Sequence, residues 1–139
     1  NTAYLMINLM EGVINEGTGN RLRRNVDYGN IVADVAGKTG TTQNQSDGWF
    51  MGVTPELVTG VWTGGEFRSI HFEGLTAGQG AAMALPIYGY FMNKVYSDPT
   101  LGFSQRTLFE APEGVSVNLD CSKLMKEERD DDINTGDFF

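Results

Sequence analysis

Two stretches rich in β-branched and aromatic residues, WFMGVT at 49–54 and LVTGVWT at 57–63, are separated only by the turn Thr54-Pro55-Glu56-Leu57. A link that short joins antiparallel neighbours, because a parallel crossover needs a dozen or more residues. Pro55 fits the turn, since its ring already holds φ where a turn's second residue needs it. A third apolar run, IVADVAG at 31–37, reaches the hairpin through the polar turn stretch TGTTQNQSDG, a connection whose length alone does not exclude a crossover. The spacing predicts a three-stranded antiparallel meander, with its first strand ending at Lys38. Gly52 and Gly60 leave flat places where a helix can pack closely. Trp49 and Trp62 are expected in the core, where their large rings gain most from burial.

Helical periods flank the strands. In residues 2–14, Met6, Leu9, Met10 and Val13 follow the i, i+3, i+4, i+7 spacing of one helix face. Asn1 or Thr2 can cap its start, and Gly12 and Gly17 weaken and then end it. A loop carrying Arg21, Arg23 and Arg24 follows, and these arginines are expected in solvent. Residues 64–80 read as a long glycine-rich loop. A second helix is expected from about 82 to 96, with Pro86 in its first turn and Tyr88, Phe91, Met92 and Val95 as its apolar stripe. Asp98-Pro99 stops it. Strands in the middle and helices at either side predict an α+β fold, a three-stranded antiparallel meander packed with helices. The expected organisation is a folded portion over 1–98 and a C-terminal extension over 99–139. That extension contains the acidic stretch 126–137, expected to be a flexible tail.

Composition excludes several classes. A formal net charge of −8 over 139 residues argues against a nucleic-acid partner, which needs a basic face. No apolar run approaches the ~20 residues of a membrane helix, so the chain is expected to be soluble. The lone Cys121 has no partner for an internal disulfide. His71, beside Glu73, is the only histidine, so neither it nor Asp130-Asp131-Asp132 has the companions or spacing of a metal site. No metal and no cofactor are expected. Residue 1 is Asn and not Met, and the chain is expected to be part of something longer.

The stretch AGKTGTTQNQSDGWFMG at 36–52 carries the chemistry. Gly37-Lys38-Thr39 matches the end of a phosphate-binding loop, but the glycine required five residues before Gly37 is Val32. No helix follows to offer its N-terminal amides to a phosphate. Lys-Thr-Gly at a strand end suits a carboxylate instead. The strand edge can pair with an extended peptide, and the lysine supplies positive charge. The threonine hydroxyls add fixed hydrogen bonds, and Gly40 lets a substrate approach the backbone. Thr41 can offer both a hydroxyl and a backbone N–H, and such an N–H can serve an oxyanion hole.

AGKTGTTQNQSDGWFMGVTPELVTGVWTGG resembles the C-terminal part of the transpeptidase domain of class A (1A-type) penicillin-binding proteins. GQGAAMALPIYGYFMNKVYSD resembles that domain's final helix, so the resemblance spans residues 2–98 and includes the order of elements. It implies a partial β-lactamase/transpeptidase-like fold. Lys38, Thr39, Gly40 and Thr41 would bind the carboxylate of a D-Ala-D-Ala stem peptide or a β-lactam. Thr41 would also donate its N–H to the oxyanion hole. The family signature is Ser-x-x-Lys, then Ser-x-Asn, then Lys-Thr-Gly. No serine of this chain has a lysine three residues on, and Ser116-Val117-Asn118 follows Lys-Thr-Gly where it should precede it. The catalytic serine is thus not in this chain, and the chain alone is expected to be inactive. The parent is expected on the periplasmic side of the inner membrane, with a glycosyltransferase domain upstream. Without its N-terminal partner strands, the third strand, 57–63, is expected to be an apolar edge open to pairing with a second copy. The alternatives are a serine β-lactamase or carboxypeptidase fragment, and a non-catalytic binding domain.

Overall fold

The computed structural model describes residues 1–115. The expectations for Ser116-Val117-Asn118, Cys121 and the acidic stretch 126–137, with Asp130–Asp132, lie outside the described residues. Thr2–Glu110 form one compact unit, distinct from Asn1 and Ala111–Val115, where Gly114 has a positive φ.

In chain order the larger unit runs α1 (Thr2–Asn15), the short α2 (Arg21–Arg24), β1 (Ala36–Thr41), β2 (Asp47–Val53), β3 (Val58–Gly64), the short α3 (Leu75–Gly78) and α4 (Gly80–Ser97). The strands form one antiparallel sheet in the order β1-β2-β3, as the short connections require. The expected α+β meander is present. The Thr54–Leu57 turn closes on itself, since Thr54 N–H donates to Leu57 O at 2.8 Å and Leu57 N–H to the Thr54 hydroxyl at 3.0 Å.

β1 starts later than the apolar run suggests. Ile31, Ala33 and Val35 are buried in alternation, while Val32 stays exposed. Yet among the described residues their segment has no strand partner. The Arg23 guanidinium donates to Ile31 O at 2.6 Å and Ala33 O at 2.8 Å, and Val32 N–H donates to the Gln105 side chain at 2.8 Å. Side chains satisfy the backbone that a neighbouring strand would otherwise pair with. Arg23 is therefore half-buried and structural, contrary to the expectation of a solvated loop, while Arg21 and Arg24 are exposed.

The sheet has two unlike faces. Phe50 is fully buried on the inner one and meets Tyr88 of α4 edge-on, with centroids 4.7 Å apart. Gly37, Gly48 and Gly52 share that face, and a Cβ on them would strike Phe50 and Ile14, Met83, and Tyr88 respectively. Gly52 thus seats a helix, as expected. Gly60 does not, because it lies on the other face against the Met51 side chain. On the outer face Trp49 and Trp62 stand opposite each other, 45% and 49% exposed. The expectation that they lie in the core fails, because among the described residues no helix covers that face.

Both long helices pack on the inner face with a turned stripe. In α1 the fully buried residue is Ile14, and Met6 and Leu9 point outward. In α4, Tyr88, Met92 and Val95 are buried as expected, whereas Phe91 is exposed. α4 also begins earlier than expected, so Pro86 falls in its second turn. The early start is possible because Gly80 N–H finds the Thr41 hydroxyl at 3.0 Å. Asn93 fixes the helix laterally by donating to Tyr28 O and Gly29 O.

Replacing Gly52 with alanine places a Cβ 2.4–2.6 Å from the Tyr88 ring and hydroxyl. The expected cost is about 1–3 kcal/mol of stability, the usual cost of overpacking. Gly60→Ala, which meets only a flexible methionine, should cost less than about 0.5 kcal/mol, as surface substitutions do. Urea denaturation of the two variants checks this.

Candidate functional site

Lys38, Thr39, Gly40 and Thr41 lie inside β1, paired in register with Met51, Phe50, Trp49 and Gly48. The strand does not stop at Lys38, because the ladder with β2 runs on to Thr41. Among the described residues β1 pairs with β2 alone, so its other edge is free.

Alternation divides the four residues between faces. Lys38 and Gly40 share the outer face with Met51 and Trp49, while Thr39 and Thr41 share the inner one with Gly37. The backbone divides as well. Thr42 N–H donates across the hairpin to Asp47 O at 3.0 Å. The two-residue repeat of an antiparallel ladder then turns the N–H and C=O of Thr39 and Thr41 toward the free edge. The Lys38 side chain is exposed and curls to the same edge, its ammonium donating to Thr39 O at 3.0 Å.

Both threonine hydroxyls are held. The Thr39 hydroxyl pairs with that of Thr18 at 3.0 Å. The Thr41 hydroxyl accepts from Gly80 N–H, which leaves its own proton free to donate elsewhere. Beside them lies a polar cavity of about 240 Å³ lined by Gly17, Thr18, Asn20, Arg21, Gln79 and Ala81. A larger cavity, about 710 Å³, is lined by other residues, among them Ser46, Thr63, Ile70, His71, Phe72 and Met83, and by none of Lys38–Thr41. His71 there pairs through Nδ1 with Phe72 O at 3.0 Å, and no metal-binding group of side chains occurs among the described residues.

The end of β1 is fixed by Asp47. Its Oδ2 accepts from Ser46 at 3.0 Å and from Thr42 at 3.2 Å, and its Oδ1 accepts from Trp62 Nε1 at 3.1 Å. The Ser46 hydroxyl, helped by Trp62 and Thr42, holds the Asp47 carboxyl below its usual range. Asn44 and Gln45 complete the turn with positive φ, a conformation asparagine adopts readily. Sequence reasoning missed Thr18, Asp47 and Gly80. The available signals were the glycines on both sides of Thr18, and the Thr42, Ser46 and Asp47 oxygens crowded into one turn.

A free-edged strand bearing Lys-Thr-Gly-Thr, on a sheet backed by two helices, defines a transpeptidase-like α+β unit. Its relatives are 1A-type penicillin-binding proteins, parts of which the chain matches along most of its length. It is 36% identical over 125 residues to penicillin-binding protein 1A of Pseudomonas aeruginosa, covering 86% of this chain and 13% of that protein. It is 35% identical over 116 residues to penicillin-binding protein 1A of Neisseria flavescens, covering 84% and 13%. Against penicillin-binding protein 1A of Aquifex aeolicus it is 32% identical over 121 residues, covering 86% and 15%. The chain thus spans about an eighth of the length of the relatives it matches. No protein-family model matches it.

Because the folded Asp47 carboxyl titrates below its ordinary value of 3.8, its stabilisation is present above that value and is lost as pH falls through the lower folded one. The urea midpoint, followed by tryptophan fluorescence, should therefore drop on acidification below about pH 4. Asp47→Asn should lower the midpoint at neutral pH and show a smaller acid-induced drop.

Proposed function

We propose that this chain is the C-terminal portion of a peptidoglycan D,D-transpeptidase domain and forms one wall of its active site. The observation that carries this reading is the free edge of β1. It offers the backbone of Thr39 and Thr41, flanked by the Lys38 ammonium from the outer face and by the Thr41 hydroxyl on the inner one. An extended stem peptide can pair with such an edge as an added strand. Lys38, Thr39 and Thr41 then face its terminal carboxylate, Gly40 keeps the backbone approachable, and the Thr41 N–H serves as an oxyanion donor.

In the parent protein a serine supplied by another segment attacks the carbonyl of the penultimate D-Ala. The terminal D-Ala leaves with the proton on its nitrogen. An amine from a neighbouring stem peptide then attacks the ester carbonyl, forms the crosslink and releases the serine. A β-lactam enters the same first step, and its ring opens on the serine. Partners of this chain are therefore the stem peptide, β-lactams and the remaining part of the domain. The parent works on the periplasmic side of the inner membrane, where peptidoglycan is crosslinked. Among the described residues no helix is long and apolar enough to cross a membrane.

With no Ser-x-x-Lys, the chain has no activated nucleophile. Intact-mass spectrometry after incubation with penicillin should show no adduct on it. In the full-length parent, Thr41→Pro, which removes the N–H, should slow acylation about 100-fold or more, as loss of an oxyanion donor does. Acylation at an undiminished rate would refute the assignment.

The outer edge of the sheet supports a second interaction. β3 has one partner among the described residues, and Val58 and Trp62 on it are largely exposed. Unpaired edges of this kind template pairing between chains. The isolated chain should form a homodimer through residues 57–63, seen by light scattering as a mass that rises with concentration. Thr59→Pro, which removes a backbone donor from β3, should shift it toward monomer.

A further inference from the structure

The polar cavity beside Thr39 and Thr41 belongs to neither the Lys-Thr-Gly signature nor the core. Its lining carries one full charge, that of Arg21, and no acidic side chain. It joins β1 at two points. Thr18 pairs with the Thr39 hydroxyl, and Gly80, between the lining residues Gln79 and Ala81, donates to the Thr41 hydroxyl. The occupant that suits it is a small anion, held by Arg21 and adjoining β1 through Thr18. At about 240 Å³ the cavity is smaller than a typical drug-sized site of at least ~300 Å³, which favours a short terminal group over a ring system.

The position of Thr18 is built into the backbone. Gly17 N–H donates to Gly12 O at 3.0 Å and Gly19 N–H to Val13 O at 2.9 Å, so the turn after α1 is pinned on both sides of it. A Cβ at Gly17 would lie 2.8 Å from the Val13 backbone, and one at Gly19 2.6 Å from the Ile14 side chain. At Gly17 the obstacle is the Val13 backbone itself, so the glycine there lets the turn close, and its closure delivers Thr18 to β1. Arg21 begins α2, which is anchored by the fully buried Leu22. That anchor keeps Arg21, an exposed residue, in the cavity lining.

We propose that Arg21 is a carboxylate-binding residue of this site and that Thr18 is a positioning residue that orients the Thr39 hydroxyl. The ligand class is a peptide ending in a free carboxylate. The proposal rests on the reading of β1 as the substrate-binding strand. Arg21 supplies a planar donor pair matched to a carboxylate, which the point charge of Lys38 does not. Thr18 fixes the rotamer of Thr39 and sends its lone pairs or proton in one direction.

The test is a titration of the isotope-labelled 139-residue chain with N-acetyl-D-Ala-D-Ala and with the same dipeptide as its C-terminal amide. Amide signals of Lys38–Thr41 and Gly17–Arg21 are followed by NMR. The acid should bind more tightly than the amide. Arg21→Ala should weaken the acid about tenfold, the effect of one charge-assisted hydrogen bond, and leave the amide unchanged. Arg21→Lys should recover part of the loss. Thr18→Val should weaken both peptides, and Thr18→Ser should restore them. Two results overturn the proposal while leaving the strand reading intact: Lys38–Thr41 respond but Arg21→Ala binds the acid like the wild type, or Arg21→Ala weakens acid and amide alike. If Lys38–Thr41 respond to neither peptide in the wild type, the strand reading itself falls. The unchanged dispersion of each variant's spectrum establishes that it is folded, and Arg21→Gln replaces Arg21→Ala should the latter unfold.

Discussion

The smooth inner face of the sheet governs the architecture. Gly37, Gly48 and Gly52 strip that face of side chains, so Ile14, Met83 and Tyr88 descend onto the backbone itself. Phe50 is the one large residue β2 presents there, and Tyr88 closes on its edge. This contact sets the height of α4 above the sheet, and with it the position of Gly80 relative to Thr41. The geometry of the candidate site is thus a consequence of packing some distance away. It has a cost as well, because the buried Tyr88 hydroxyl has no hydrogen-bond partner among the described residues, and burial pushes its phenol well above the ordinary range.

A second device holds the approach to β1. Arg23 replaces a strand: its guanidinium serves two carbonyls and the Asn15 side chain at once. Burial lowers its pKa, and the charges of Asp34 and Glu11 counter that. Burial raises the pKa of Glu11, with Asp34 adding to the rise and Arg23 opposing it. The carboxylate of Asp34 also accepts from Phe109 N–H, so the segment after α4 is tied to the segment before β1. One cluster therefore connects the end of α1, the lead into β1 and residues near 109.

What the sequence made legible was local. The Pro55 turn and the two runs beside it dictated the hairpin, and the order of helices and strands dictated the α+β class. The Lys-Thr-Gly-Thr stretch stood out from its residues alone, and the chemistry a strand edge could offer followed from it. The misses share a cause. Alternating burial at Ile31, Ala33 and Val35 reports which side chains are covered, and says nothing about what satisfies the backbone, so a clamp by Arg23 reads like a strand. Trp49 and Trp62 alternate like buried residues, yet exposure depends on what lies over the outer face. The Thr18–Thr39 pair joins residues 21 apart in sequence through a turn, and no periodicity encodes such a contact.

The division of β1 between two faces has a consequence for how this chain can vary. Lys38 looks one way and the hydroxyls of Thr39 and Thr41 the other, and the pleat alone enforces that opposition. The turn at residues 42–46 counts out the register, with Thr41 set against Gly48 and Gly40 against Trp49. Losing or gaining a single residue within that turn would slide β1 by one position and turn it over against β2. The hydroxyls would then stand beside the tryptophans, and the ammonium would be driven against Phe50. Length in this part of the chain is therefore more tightly constrained than residue identity, and an insertion there is tolerable only in pairs.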